Sequence, residues 1–133
     1  MNNSVEIVAG IVCEDIRIER NGKYMLIGCY GSGVLLPSLP APLNVSFAGI
    51  VNISGFGPQR VDLRVVDDEG LQLAAVAFDL PDVRPELGAI MPIGPFHMNL
   101  TKIGNLHFQQ FWNGIWRTVR TFGLAVAAGP PTI

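Results

Sequence analysis

The sequence predicts an all-β domain, an antiparallel β-sandwich of about eight or nine strands, with a closed β-barrel as the second choice. Three observations lead there. Glycine (15) and proline (10) punctuate the chain at short intervals, and the segments between them are rich in Val, Ile, Leu and Phe. Three of those intervals carry turn residues flanked by alternating apolar positions, as in β-hairpins. No window shows helical periodicity over a full helix length.

The elements follow in order. "VEIVAGIV" reads as an opening strand. "CEDIRIERNGKYMLIGCY" is the first hairpin, with Asn21-Gly22 as a two-residue type I′ turn. That loop length pairs Ile18 with Met25 and Ile16 with Ile27, setting Cys13 opposite Tyr30 and Cys29 opposite Glu14. The two sulfurs then point to opposite faces, and both cysteines are expected as free, buried thiols. "GCYGSGV" lacks the flanking glycines of a nucleophile elbow and the Lys of a phosphate loop. Gly31 and Gly33 are expected to permit a bulge or a crossing between sheets.

After the loop "PSLPAP", "LNVSFAGIVNI" is a long strand over 43–53. "RVDLRVVDDEGLQLAAVAF" is the second hairpin, with Asp68-Glu69-Gly70 as its loop. Val61, Leu63, Val65, Leu71, Leu73, Ala75 and Ala77 are expected to share a face. "PDVRPEL" is a loop over 81–87, and "GAIMPIGPFHMNL" a strand broken near Pro92 and Pro95. "NLHFQQFWNGIWRTVRTF" is the third hairpin, turning at Asn113-Gly114. The whole chain is expected to be one domain, 1–133, with 128–133 as a flexible tail.

The hairpin "CEDIRIERNGKYMLIGCY", the proline-rich loop, "LRVVDDEG" and the closing "GPFHMNL…NGIWRTVRTFGLAV" together resemble a family of small bacterial domains of unknown function. The resemblance spans nearly the whole chain. It implies an immunoglobulin-like sandwich of bacterial or phage origin and brings no catalytic residues with it.

Composition narrows the function. A net charge of −2 points to neither a nucleic-acid nor an anionic membrane surface. Charged residues are 15% of the chain, against roughly 25% in ordinary soluble domains. Mean hydropathy is +0.37, yet no run is long enough for a membrane helix. A chain so poor in charge is expected to cover apolar surface by forming a homo-oligomer or binding a protein partner. The N-terminus has no basic segment before its apolar run, and the expected location is cytoplasmic. The N-x-S/T sequons at Asn2, Asn44, Asn52 and Asn99 are then coincidental.

His97 and His107 lack ligand spacing for a metal, and "DDEG" is turn chemistry rather than a calcium loop. No cofactor is expected. The third hairpin is the most informative stretch. Strand parity puts Trp112, Phe108 and Leu106 on one inward face, and Phe111, Trp116, His107 and Arg120 on the outward one. Those four residues are the expected protein contact, and the expected function is a non-enzymatic, self-associating or protein-binding module. The alternative is a small-ligand or nucleotide-binding, sequestering protein. Its pocket would lie at a subunit interface or beneath the proline-rich loops, with Arg17, Arg60, Arg84 and Arg117 as anion contacts.

Overall fold

A computed structural model describes residues 5–83 and 90–127. Among the described residues nine strands follow in order: β1 (Val5–Ile18), β2 (Tyr24–Cys29), β3 (Gly33–Leu36), β4 (Ala41–Ile53), β5 (Gly57–Val66), β6 (Gln72–Val83), β7 (Ile90–Leu100), β8 (Gly104–Trp112) and β9 (Ile115–Val126). They form two curled sheets, a four-stranded one in the order β2-β1-β4-β7 and a five-stranded one in the order β3-β9-β8-β5-β6. All pairings are antiparallel except β3 with β9. Arg84 and the expected tail over 128–133 lie outside the described residues. No helix among the described residues is long and apolar enough to cross a membrane.

The core lies between the sheets, and four phenylalanines join its halves. Phe47 from β4 stacks on Phe108 from β8 with ring centroids 5.2 Å apart. Phe96 from β7 and Phe122 from β9 meet Phe108 edge-on at 5.5 and 6.5 Å. Such pairs contribute about 0.5–1.5 kcal/mol each beyond the area they bury. Gly10 makes room for this cluster, since a Cβ there would stand 1.9 Å from the Phe47 ring.

Turn chemistry behaves as the sequence indicates at two hairpins. Asn113 and Gly114 both take positive φ, +48° and +87°, and close a two-residue loop between Trp112 and Ile115. Asp67 and Leu71 bracket the three-residue loop ending in Gly70, whose φ is +83°. The segment 30–32 crosses from β2 in one sheet to β3 in the other, where Gly33 passes so close to β9 that a Cβ would meet the Gly123 carbonyl oxygen at 2.5 Å.

The first hairpin differs. Its loop has three residues, because Glu19 N–H donates to Lys23 O and Gly22 N–H to Glu19 O. Only Gly22 takes positive φ, with Asn21 Oδ1 accepting from Lys23 N–H. Ile18 therefore pairs with Tyr24 and Ile16 with Leu26, one residue away from the expected register. Cys13 stands opposite Cys29 rather than Tyr30. Both are free; Cys13 is buried, but Cys29 is exposed.

Bulges account for the other corrections. A shift between Val65 and Val66 pairs Val65 with Ala74 and Leu63 with Val76. Ala74, Val76, Phe78 and Leu80 therefore pack against the core. Ala75 and Ala77, expected inward, take the other face of β6. Strand β7 is unbroken and lies at a sheet edge, where Pro92 and Pro95 need no ladder donor on the free side. Its register against β4 shifts between Val45 and Phe47, beside the Gly94-Pro95 bond.

Filling the space at Gly10 tests the aromatic core. Gly10→Ala is expected to lower stability by about 1–3 kcal/mol in urea unfolding, through overpacking against Phe47.

Candidate contact surface on the five-stranded sheet

The outer face of the five-stranded sheet is built where β8 pairs with β9 and β5. Phe111 lies opposite Trp116 as expected, with ring centroids 5.3 Å apart and a 54° tilt. Phe111 remains 38% exposed even with this neighbour. Arg64, from β5, lays its guanidinium 4.2 Å from the Trp116 ring centroid. Its Nε donates to Gln109 Oε1 at 2.9 Å, and Gln109 Nε2 donates to Thr118 Oγ1 at 3.2 Å. Two aromatic rings thus sit beside a polar row whose members fix one another's positions. Sequence reasoning missed Arg64, because its place follows from the pairing of β5 with β8, strands about 40 residues apart in the chain.

Arg120 belongs to the other face. The β8–β9 register shifts between Phe108 and Gln109, so Phe108 pairs with Arg120 instead of Val119. Arg120 therefore joins the inward-facing series with Phe122 and donates to the carbonyls of Gly10 (3.0 Å) and Gly31. Arg117 also points inward. It pairs with Glu6 and donates to Ile7 O at 2.9 Å. Trp112, on the same side, is half-buried, with the Arg117 guanidinium 5.7 Å from its ring.

His107 is on the outer face but opposite Thr121, about 13 Å along the strand from Phe111 at the usual rise per residue. Its Nε2–H donates to Asp68 Oδ1 at 2.8 Å, and its Nδ1 lies 3.1 Å from Thr121 Oγ1. Hydroxyl, imidazole and carboxylate in series is also the order of an acid–base relay. Here the series joins the 67–70 turn to β8, helped by Asn105 N–H donating to Asp68 Oδ2 at 3.0 Å. Asp67 Oδ1 accepts from the amides of Glu69 and Leu71, both at 2.9 Å, which is the turn chemistry expected of "DDEG". Among the described residues no group of three or more His, Cys, Asp or Glu is placed to hold a metal.

Beside this turn lies a cleft of about 230 Å³ lined by Asp67, Lys102, Leu73, Leu100, Asn105 and Leu124, among others. Neither His107 nor Thr121 lines it. Its volume is below the roughly 300–1,000 Å³ typical of small-molecule sites. The arginines expected as anion contacts do not converge. Arg17 pairs with Asp15 on the four-stranded sheet, Arg60 with Asp62 on the five-stranded one, and Arg117 is held at the seam between them.

The acidic turn gives the fold a pH dependence. The hydrogen bond from His107, and next the Asn105 amide, hold the Asp68 carboxyl below the ordinary carboxylate range. The Leu71 amide does the same for Asp67, opposed by burial and aided by Glu69 N–H and Lys102. With both folded-state values lowered, their stabilisation is present above the ordinary range, about pH 4, and is lost as pH falls through the lowered values. Melting temperature measured against pH should therefore fall on acidification. The double variant Asp67→Asn, Asp68→Asn should start lower at neutral pH and show a shallower acid limb.

Compared with known proteins, the chain matches no family model and no curated relative.

Proposed function

We propose that this protein is a non-enzymatic binding module that self-associates, or holds a protein partner, through the outer face of its last hairpin. The carrying observation is the partly exposed Phe111–Trp116 pair with Arg64 stacked on it. Aromatic residues and arginine are the types that most often dominate binding energy at protein interfaces. Gln109 and Thr118 supply a polar rim that is already ordered, so little side-chain freedom is lost on contact. The charge-poor composition supports the same conclusion.

The finer fold assignment is an immunoglobulin-like sandwich in a bacterial or phage accessory protein of the cytoplasm. The strand order supports the fold part. The run β9-β8-β5 with β6 added beyond it, facing β1-β4-β7, follows the arrangement of variable-type domains. A second function, small-ligand binding, draws on the cleft beside Asp67, whose buried Oδ2 makes no hydrogen bond and has Lys102 Nζ at 3.5 Å. A thermal-shift screen with nucleotides and small acids tests it.

Light scattering at micromolar concentration tests the first proposal. The wild type is expected to be larger than one chain, alone or with its partner. Trp116→Ala is expected to weaken that assembly by roughly ten- to thirtyfold while leaving the melting transition cooperative. A wild type that stays monomeric and binds no protein overturns the proposal, as does an assembly indifferent to Trp116→Ala.

A further inference from the structure

We propose that Cys13 and Cys29 form a reversible cross-strand disulfide that fastens the edge hairpin β1–β2, making this pair a site of redox modification. The basis is register. The three-residue loop at Arg20–Gly22 puts the two residues directly opposite each other in an antiparallel pair. Opposed Cα atoms in such a pair lie about 4.5 or about 5.5 Å apart, according to the type of position. Both separations fall within the roughly 4.4–6.8 Å that a disulfide spans. Side chains directly opposite each other share a face, so the sulfurs stand on the same side of the sheet.

The two thiols have different access. Cys13 is fully buried, and its thiol donates to Ser46 O at 3.6 Å. Burial, then the neighbouring Cys29 and Asp15, push the Cys13 thiol up from its ordinary value, keeping it protonated at rest. Cys29 is exposed on β2, an edge strand whose one neighbour is β1. Oxidation therefore starts at Cys29. With a low-molecular-weight disulfide as oxidant, the Cys29 thiolate attacks one of its sulfurs and releases one small thiol. Cys13, losing its proton to water, then attacks the Cys29 sulfur and releases the second small thiol. Overall two S–H bonds become one S–S bond, two electrons reduce the small disulfide, and its two thiols take up the two protons.

The hairpin beyond this pair is exposed. Ile18, Tyr24 and Met25 are all at the surface, and among the described residues β2 has no strand on its far side. Joining residues 13 and 29 closes a loop around the whole arm and removes freedom from its unfolded state. In a reducing compartment the pair rests as thiols and closes under oxidative conditions.

Equilibration of the purified protein with oxidised glutathione, followed by non-reducing peptide mapping, tests this. The expected product is a monomer lacking two hydrogens, with the peptides carrying Cys13 and Cys29 joined, both thiols lost, and both restored by dithiothreitol. Its melting temperature should exceed that of the reduced protein by on the order of 10 °C. Cys13→Ser should stop at a glutathione adduct on Cys29. A wild type that stops at that adduct, or that dimerises through Cys29 with Cys13 still a thiol, overturns the proposal. The wild type alone distinguishes these outcomes, whether or not Cys13→Ser folds.

Discussion

Among the described residues the N-terminal half of β1 has one strand neighbour, β4, and its other edge is satisfied by side chains. Strand β2 pairs with β1 from Cys13 onward, so the backbone groups of Val5, Ile7 and Gly10 face the opposite sheet. Gln110, from β8, is 1% exposed; it donates to Val5 O at 2.9 Å and accepts from Ile7 N–H at 2.8 Å. Arg117 and Arg120 from β9 take the carbonyls of Ile7 and Gly10. Buried backbone groups left without partners cost roughly 1–3 kcal/mol each, so this clasp sets the seam between the sheets. It also explains why the sheets curl towards one another here without a continuous backbone ladder.

The clasp shapes the surface as well. The charges of the closing hairpin are turned inward, leaving its outer face to Phe111, Trp116, Gln109 and Thr118. Other charges also serve local structure: Lys102 bridges Asp67 and Glu69, Arg60 holds Asp62, and His107 holds Asp68. A low charge count and a partly apolar outer face are thus two aspects of one allocation. The cation laid against the aromatic pair there, Arg64, has its guanidinium over the Trp116 ring and bonded to Gln109.

How much of this was legible in the sequence depends on the range of each determinant. Turns are local. Asn113-Gly114 and the loop ending at Gly70 specify their hairpins through backbone preferences that two or three residues carry. Asn21-Gly22 is local too, but the same dipeptide serves a two-residue or a three-residue loop, and the choice moved the Cys13 register by one. Bulges depend on tertiary context. The insertion at Val119 brings Arg120 to the Gly10 carbonyl, and the shift beside Val65 brings Val76 and Phe78 to the core. Nothing in a strand's own alternation marks where its parity will flip. Phe111 and Trp116 were found because they lie between the turn and the first bulge; Arg120 was misplaced because it lies beyond it.

The parallel pairing of β3 with β9 has a consequence for the order of events in biosynthesis. Residues 33–36 bond with residues 123–126, so this contact waits for almost the whole described chain to leave the ribosome. Strand β9 also carries Arg117 and Arg120. Until it arrives, β3 lacks its partner strand and the Ile7 and Gly10 carbonyls on the β1 edge lack the arginines that take them, while β1, β2 and β4 are already free to pair. A nascent chain at that stage displays two open strand edges at once, the kind of template on which neighbouring chains pair wrongly. Such late, long-range closure slows folding and makes the last hairpin the step at which a growing chain becomes safe from its neighbours.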